Sequence, residues 1–248
     1  MQKILSTMRH ACDKYNLIEE NDRIGVGISG GKDSLVLIKA LKMYQRFSKI
    51  KFDIVGITID MFNDGKFDKI KAFMEDLGVE YHIIPSNIYE IVFLERKEKS
   101  PCSLCSKLRR GMLNTNAIKL NCNKIALGHT ADDVIHTFML SMFFEGRLSS
   151  FHPSSYMSRT SITVIRPLIL TDEREIIKEA KFVPVLKSKC PVDKHTKREE
   201  MKEILSFIES KIPIAKDRLF RAITSPESYN LFNKDIKENI SNFINEEK

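Results

Sequence analysis

An alternating apolar run that ends in a glycine-rich loop constrains this chain more than any other feature. Residues 24–28 follow a strand pattern, Ser-Gly-Gly-Lys-Asp-Ser occupies residues 29–34, and an apolar run begins at Leu35. This order predicts a strand, a tight turn and a buried helix. The free N–H groups at the start of such a helix point at one spot, where the helix dipole favours an anion. The loop therefore predicts a binding site for a phosphate chain.

The spacing of this loop separates it from two other phosphate-binding loops. The Walker loop requires Gly-x-x-x-x-Gly-Lys-Ser/Thr, which is absent here. Gly25, Gly27 and Gly30 match the Gly-x-Gly-x-x-Gly dinucleotide pattern, but the first two lie inside the strand pattern. An ordinary glycine-rich turn remains the structural alternative. The candidate phosphate-binding residues are Ser29, Gly30, Gly31, Lys32, Asp33 and Ser34.

The composition is that of a globular chain that lacks a membrane-spanning run. The chain has 248 residues, of which 42% are hydrophobic and 29% charged, and its net charge is +7. No signal-peptide pattern stands at the N-terminus, so we expect a cytoplasmic protein with no membrane partner. In that setting the five cysteines are expected to be free, metal-bound or catalytic rather than disulfide-bonded. The positive charge is compatible with a nucleic-acid partner and does not establish one.

Strand and helix patterns alternate through the first half of the chain. Strands are predicted at 23–28, 52–60, 79–84 and 124–128, with helical patterns between them. This alternation predicts an α/β fold with a doubly wound parallel sheet. We expect an N-terminal helix over 1–20, a nucleotide-binding core over 21–170, and a mostly helical extension over 171–248 that packs on the core.

Several shorter segments in the second half of the chain also carry expectations. The apolar stripe that includes Met142 and Phe143 is expected to be core, residues 146–161 an exposed loop, and residues 164–168 a strand. Asp172 is expected to cap a helix over 173–181. Stripes that begin at Met201 and Ile236 predict two late helices.

Ligands of such sheets bind at the carboxyl ends of the strands, where three segments should meet. The loop after the first strand should face Thr58, Ile59 and Asp60, which end the second strand. Gly128, His129, Asp132 and Asp133 follow the fourth strand. The two aspartates suit either a magnesium or acid/base role, or the capping of the next helix.

Cys102 and Cys105 form a Cys-x-x-Cys pair at the start of a predicted helix. The pair fits part of a metal site, a redox pair or two buried thiols. Cys190 lies in a polar loop, where a purely structural cysteine is less expected, and Cys122 lies at a helix-to-strand junction. A metal ion or cluster is the favoured interpretation.

Four ordered motifs resemble one family. They are Ser-Gly-Gly-Lys-Asp-Ser at 29–34, Pro-Cys-Ser-Leu-Cys-Ser-Lys-Leu-Arg-Arg-Gly at 101–111, Gly-His-Thr-Ala-Asp-Asp at 128–133 and Ile-Arg-Pro-Leu at 165–168. Together they resemble the tRNA 2-thiocytidine synthetases of the PP-loop ATP pyrophosphatase superfamily. The resemblance implies a [4Fe-4S] cluster held by Cys102, Cys105 and Cys190, with Cys122 as the substitute for Cys190.

The resemblance also implies the reaction and its partners. ATP, with Mg²⁺, would adenylate the oxygen of a tRNA base, and sulfur carried on the cluster would then replace that oxygen. The expected product is 2-thiocytidine in the anticodon loop. A cysteine desulfurase persulfide or free sulfide would be the sulfur donor, and a homodimer is possible. The alternatives are another tRNA pyrimidine, a small molecule, a lysidine-type tRNA ligase, and a non-catalytic nucleotide-binding redox sensor.

Site roles follow for the remaining candidates. Thr58, Ile59 and Asp60 would offer strand-end backbone groups to adenine, and Gly128 and His129 would approach the nucleotide. Arg109 would offset charge on the adenylated intermediate, or else belong to a solvated basic face. The expected tRNA-facing set is Lys107, Arg110, Arg147, Arg159, Lys187, Lys189, Lys194, Lys197 and Arg198.

Overall fold

A computed structural model describes residues 1–96, 101–187, 189–191 and 197–225. Its elements are α1 (Gln2–Tyr15), β1 (Asp22–Gly27), α2 (Lys32–Gln45), β2 (Phe52–Asp60), α3 (Asp68–Leu77), β3 (Glu80–Pro85), a π-helical segment (Glu90–Glu95), α4 (Pro101–Lys119), β4 (Lys124–Ala126), α5 (Ala131–Glu145), β5 (Ser154–Met157), β6 (Ile162–Ile165), α6 (Glu173–Glu179), a 3-10 turn (Ala180–Phe182), α7 (Lys197–Lys211) and α8 (Ala215–Thr224).

The strands form one sheet in the order β3-β2-β1-β4-β6-β5. Five strands run parallel, and only β5 pairs antiparallel, at the edge beside β6. From β1 the sheet grows to β2 and β3 on one side and to β4 and β6 on the other. The boundary between β1 and β4 is therefore the topological switch point, where such sheets bind ligands. The predicted parallel α/β fold is confirmed.

Helices cover both faces of the sheet. Ile54 of β2 packs in the cluster that joins α1, α2 and α6, whereas the next residue, Val55, packs with Ala117 of α4. Successive strand residues point to opposite faces, so an apolar pair in sequence requires a helix on each side. The predicted doubly wound arrangement is confirmed by this packing.

Two local signals in the sequence mark helix ends correctly. Gly78 ends α3 with φ of 62°, the left-handed conformation that glycine adopts without strain. Asp172 begins α6, because its carboxylate accepts a hydrogen bond from the backbone N–H of Arg174 at 2.7 Å.

Two expectations for the second half were wrong. Residues 146–161 contain β5, which has one neighbouring strand and mixed polar residues, so no apolar alternation marks it. Phe143 was expected in the core but is 55% exposed, because it lies near the end of α5 beyond its packed turns. The stripe that begins at Ile236 lies outside the described residues.

The late helices pack on α5 rather than on the sheet. Met201 and Leu205 of α7 form a small apolar cluster with Ile135 and Met139 of α5. The buried Lys216 of α8 joins the same group of helices through ion pairs. Across the described residues, no helix combines the length and the apolar character needed to cross a bilayer.

Candidate active site

The predicted phosphate loop joins the end of β1 to the first turn of α2. Gly30 has φ of 82°, a conformation that favours glycine. The Ser29 N–H donates to Ser34 Oγ at 3.2 Å, and that hydroxyl donates to the Gly31 carbonyl at 2.9 Å. These bonds hold the loop against the N-terminus of α2, where free N–H groups attract anions.

The ammonium group of Lys32 lies between two carboxylates. It contacts Asp33 at 3.0 Å and Glu173 of α6 at 2.6 Å. Burial acts to lower the pKa of Lys32, but these contacts outweigh it and the pKa is raised. Burial raises the pKa of Asp33, against the opposing effect of Lys32. These two contacts therefore fix the position of the loop cation.

A cavity of about 340 Å³ lies beside this loop, at the carboxyl edge of the sheet. The residues that line it are Gly27, Ile28, Ser29, Asp33, Ser34, Ile57, Ile59, Ser106, Arg109, Arg110, Leu113, Leu127, Gly128, His129 and Asp133. The loop, β2, α4 and the segment after β4 all contribute. The structure thus brings predicted residues from four separate segments to one cavity.

The end of β4 approaches the phosphate loop closely at Gly128. A Cβ atom at this position would lie 2.9 Å from the carbonyl carbon of Asp33 and 3.1 Å from the backbone nitrogen of Ser34. Backbone atoms cannot move aside as a flexible side chain can. Glycine is therefore required here for the two segments to share one wall of the cavity.

Of the residues predicted at the end of β2, only Ile59 lines the cavity. The buried Thr58 hydroxyl donates to the carbonyl of Ile28 at 2.9 Å. The Asp60 carboxylate accepts from the N–H groups of Phe62 and Gly65, each at 3.1 Å. The buried Thr58 and Asp60 side chains therefore hold neighbouring backbone in place and do not line this cavity.

The two aspartates at the start of α5 face in different directions. Asp133 lines the cavity, forms the capping box with Thr130, and contacts Arg198 of α7 at 3.1 Å. Asp132 instead accepts from the Glu173 N–H at 2.7 Å and pairs with the buried Lys216 at 2.6 Å. Asp133 reaches the site, whereas Asp132 fastens α8 to α5.

His129 lies in a cationic corner of the cavity. Its Nδ1 accepts a hydrogen bond from Arg166 Nε at 3.3 Å, and its ring stacks on Phe151 with centroids 4.4 Å apart. Burial, with the charges of Arg166 and Arg198, lowers the pKa of His129 to about 4. The imidazole is therefore neutral near neutral pH and serves as an acceptor rather than a cation.

Two cysteines lie in the first turns of α4, and the charge of a third, Cys190, acts on one of them. Cys102 is exposed, Cys105 buried and Cys190 half-buried. Burial raises the pKa of the Cys105 thiol, Arg109 opposes this, and Cys190 and Cys102 raise it further. The charges that act on Cys122 are those of Arg23 and Glu80, and this thiol packs against β1. The charge of Cys190 is thus among those that act on Cys105, whereas neither cysteine of the pair is among the charges that act on Cys122.

The chemistry of these three thiols fits a cluster better than a single ion. Within the described ranges, no three His, Cys, Asp or Glu side chains converge closely enough to hold one metal ion. A four-iron cluster binds each cysteine through a different iron, so its thiolates stand further apart, and sulfur is its preferred ligand. Three thiols with no oxygen ligand among them are the donor set that such a cluster takes.

Arg109 connects the cysteines to the cavity. Its positive charge acts to lower the pKa of the Cys105 thiol, and its side chain lines the cavity beside the phosphate loop. One helical turn separates residues 105 and 109, so both side chains lie on the same face of α4. Arg109 therefore lies between the Cys-x-x-Cys pair and the cavity of the phosphate loop.

The expected tRNA-facing residues are placed unevenly. Arg110 lines the cavity and Arg198 pairs with Asp133 at its edge. Arg147, Lys189 and Lys197 form ion pairs with Glu145, Asp64 and Glu200, while Lys107, Arg159 and Lys187 are exposed. Lys194 lies outside the described residues.

The sequence patterns did not predict three residues that the structure places at the site. Arg166 belongs to the fourth resembling motif, which carried no residue role, and Glu173 directly follows the cap residue Asp172. Leu186 covers Gly30, with its Cδ1 3.2 Å from the position of a Cβ there. Only the motif containing Arg166 offered a usable signal.

Comparison with protein families agrees with this geometry. Residues 2–185 match a family model described as a PP-loop domain. The tRNA-cytidine(32) 2-sulfurtransferase of Geobacter metallireducens is 38% identical over 95% of this chain and 94% of its own length. The enzyme of the same name from Pseudomonas syringae pv. syringae is 36% identical over 90% of this chain and 83% of its own.

A solved structure extends the similarity to three dimensions. The U34-tRNA thiolase NcsA of Methanococcus maripaludis, solved with its [4Fe-4S] cluster, superposes with a TM-score of 0.70 at 28% identity. The similarity covers 91% of this chain and 79% of that one. The fold, the cavity and the sequence relationships agree. The chain belongs to the PP-loop family and, within it, to the tRNA-cytidine(32) 2-sulfurtransferases.

Proposed function

We propose that this protein replaces the 2-oxygen of a cytidine in the tRNA anticodon loop by sulfur, at the expense of ATP. The observation that carries the proposal is the position of Arg109, which lines the phosphate-loop cavity and lies one helical turn after Cys105 on the same face of α4. A single activated base in this cavity would meet both an ATP site and a sulfur site. Relatives with this name, similar over nearly the whole chain, support the choice of cytidine.

The first step is activation of the base oxygen. That oxygen attacks the α-phosphorus of ATP, and the bond to the β-phosphate breaks, so pyrophosphate leaves. Ser29, Gly30, Gly31, Lys32, Asp33 and Ser34 would hold the departing phosphates through loop N–H groups, two hydroxyls and one ammonium. The Asp33 and Asp133 carboxylates, both on the cavity wall, would hold Mg²⁺ or its waters.

Other cavity residues would position the nucleotide. Apolar Ile57 and Ile59 form the wall where adenine would lie, next to the strand-end backbone of residues 58–60. Gly128 leaves room for the phosphates, and neutral His129 would accept a hydrogen bond from a hydroxyl or amine. Arg109 would face the negative charge that develops on the adenylated oxygen.

The second step is replacement of that oxygen. A hydrosulfide sulfur attacks the activated carbon and loses its proton, and the carbon–oxygen bond breaks so that AMP leaves. Cys102, Cys105 and Cys190 would hold a [4Fe-4S] cluster, which supplies a fourth iron able to carry sulfur. Cys105 is buried beside Arg109, which keeps the transfer close to the reacting base.

The partners of the reaction complete the proposal. The exposed basic residues near the cavity would contact tRNA phosphates, and a cysteine desulfurase persulfide or free sulfide would supply the sulfur. We further expect a homodimer in the cytoplasm, with the core over 21–170 and the helical extension over 171–248. An unpaired loop base suits this site, because a stacked base is not accessible to chemistry.

Nucleoside analysis of bulk tRNA tests the proposal. We expect tRNA from cells that lack the gene to contain no 2-thiocytidine, while other thionucleosides stay unchanged. Re-expression of the wild-type gene should restore it, and re-expression of Cys105→Ala should not. Loss of a different thionucleoside, or of none, would contradict the proposal.

A further inference from the structure

A second cavity lies beside the apolar cluster that contains the buried Cys105. Its volume is about 380 Å³, and it opens where β2 and β3 end. Phe62 and Tyr89 form aromatic walls, and Met61 and Met112 line the cavity and also pack in the cluster of Cys105. The Cys105 thiol contacts Met61, with the sulfur atoms 3.9 Å apart. None of the catalytic roles above uses this cavity.

The aromatic side chains form a continuous ladder. The ring centroids of Phe62 and Tyr89 are 5.1 Å apart, and those of Tyr89 and Phe93 are 5.2 Å apart in a stacked arrangement. All three rings are only partly buried. A half-exposed aromatic ladder offers flat faces on which a further ring can stack.

Backbone hydrogen bonds fix the walls of this cavity. The Ser86 N–H and hydroxyl both donate to the Asp60 carbonyl, at 3.0 and 2.9 Å. The Tyr89 N–H donates to the Met61 carbonyl at 3.4 Å, and the Phe62 N–H donates to Asp60 Oδ1 at 3.1 Å. These bonds fix the backbone of the cavity walls, and fixed walls reduce the entropy lost on binding.

The polar lining favours a nucleobase over a phosphate. Asn63, Ser86 and Asn87 offer donors and acceptors, and Glu90 adds a carboxylate. The nine described residues that line the cavity include no Lys or Arg. A carboxylate repels phosphate but accepts a hydrogen bond from the exocyclic amine of a base.

The ladder is also tied to the segment that carries Cys190. Lys189 forms an ion pair with Asp64, and its ammonium lies 6.0 Å from the centre of the Phe62 ring. The cavity therefore adjoins Cys105 through Met61, and Lys189, which precedes Cys190 in sequence, lies over the Phe62 ring at its wall. We expect a nucleotide next in sequence to a base held at the sulfur site to reach it.

We propose that this second cavity, lined by Phe62, Tyr89 and Glu90, binds an unpaired RNA base that flanks the modified nucleotide. The base would stack on the aromatic ladder, and its amine would face Glu90. The inference rests on the proposed function, because it requires that the substrate be a single-stranded loop of tRNA. It adds a subsite that selects the sequence beside the target and holds the loop open for the chemistry.

Fluorescence of 2-aminopurine tests this subsite directly. Anticodon stem-loop RNAs carry the analogue at one unpaired position at a time and are bound to the complete protein. Stacking on an aromatic ring quenches this fluorophore, so we expect strong quenching at one position beside the target cytidine. The quenching should disappear with Tyr89→Leu and Phe62→Leu, each of which should also weaken RNA binding about tenfold.

Matched variants separate stacking from a general effect. Tyr89→Phe keeps the ring and should keep both the quenching and the affinity. Phe143→Leu removes an aromatic ring that is 55% exposed on α5 and should change neither. A thermal melt of each variant shows whether it is folded. Tyr89→Leu and Phe62→Leu test the cavity independently of each other.

Three outcomes would overturn the inference without touching the proposed function. The first is quenching that persists in both Tyr89→Leu and Phe62→Leu. The second is a lack of quenching at every flanking position, although the wild type binds and thiolates the RNA. The third is normal RNA binding by Tyr89→Leu and Phe62→Leu together with a loss of sulfide-dependent turnover alone. That result would place a sulfur donor in the cavity. Absence of thiolation by the wild-type protein would instead count against the proposed function.

Discussion

The backbone N–H of Leu186 donates a hydrogen bond to the carbonyl oxygen of Gly30 at 2.9 Å. The side chain of Leu186 also covers Gly30, whose φ of 82° favours glycine. Cys190 follows four residues later in the same segment. The phosphate loop and the segment that carries Cys190 are thus directly hydrogen-bonded, although Gly30 and Cys190 are 160 positions apart in the sequence.

Replacement of single cysteines should distinguish Cys190 from Cys122. We expect Cys190→Ala to abolish the visible absorption and iron content of anaerobically purified protein, because this thiol interacts with Cys105. Cys122→Ala should keep its iron and lose about 1–2 kcal/mol of stability, since its thiol packs in the core. Iron retained by Cys190→Ala and lost by Cys122→Ala would reverse the assignment.

Gly128→Ala should weaken ATP binding at least tenfold, measured by titration calorimetry. The new Cβ would lie 2.9 Å from the Asp33 carbonyl carbon, so the phosphate loop must shift. Gly111→Ala is the matched control, because a Cβ at this α4 position meets no atom within 4 Å. It should bind ATP normally and gain about 0.5–1 kcal/mol of stability from its better helix propensity. Equal ATP affinity of both variants would contradict the close approach.

The two adjacent aspartates should respond differently to substitution. Asp132→Asn removes the buried partner of Lys216, which retains Asp172 at 3.1 Å, and should cost about 2–3 kcal/mol of stability. Asp133→Asn keeps the cap but removes a cavity carboxylate. It should lower turnover about 100-fold and change the stability by less than about 1 kcal/mol. Urea titrations and single-turnover assays separate the two effects.

His129 should make stability depend on pH. Its pKa is about 4 in the folded protein, whereas an unperturbed histidine, as in the unfolded chain, has a pKa of 6.5. As the pH falls from 6.5 toward 4, the unfolded chain gains a proton that the folded protein excludes. The stabilisation is therefore fully present above pH 6.5 and is lost progressively between pH 6.5 and pH 4. From about pH 7 to about pH 5 the loss should reach about 2 kcal/mol. Urea titrations of His129→Gln should show this loss reduced, and an unchanged loss would exclude His129 as its source.

Sequence patterns correctly predicted the features that depend only on residues close together in the chain. The phosphate loop, the buried strand β2, the Gly78 cap and the Asp172 cap follow from alternation and from backbone chemistry of neighbouring residues. Their geometry needs no distant partner, so the sequence carried a clear signal.

Features that depend on distant partners left no such signal. β5 forms only because β6 lies beside it, and the roles of Asp132 and Asp133 differ only because α8 and α7 pack near them. The contact of Leu186 with Gly30 likewise joins segments remote in sequence. The placement of Arg166 against His129 depends on the neighbouring strands β4 and β6.

The central claim is that one cavity activates and thiolates a tRNA cytidine. Its most direct measurement is anaerobic incubation of the iron-loaded protein with unmodified tRNA, ATP and sulfide, followed by mass spectrometry of the nucleosides. We expect 2-thiocytidine, with one AMP and one pyrophosphate formed for each sulfur inserted. AMP and pyrophosphate released without any thionucleoside, or a thionucleoside other than 2-thiocytidine, would contradict this account.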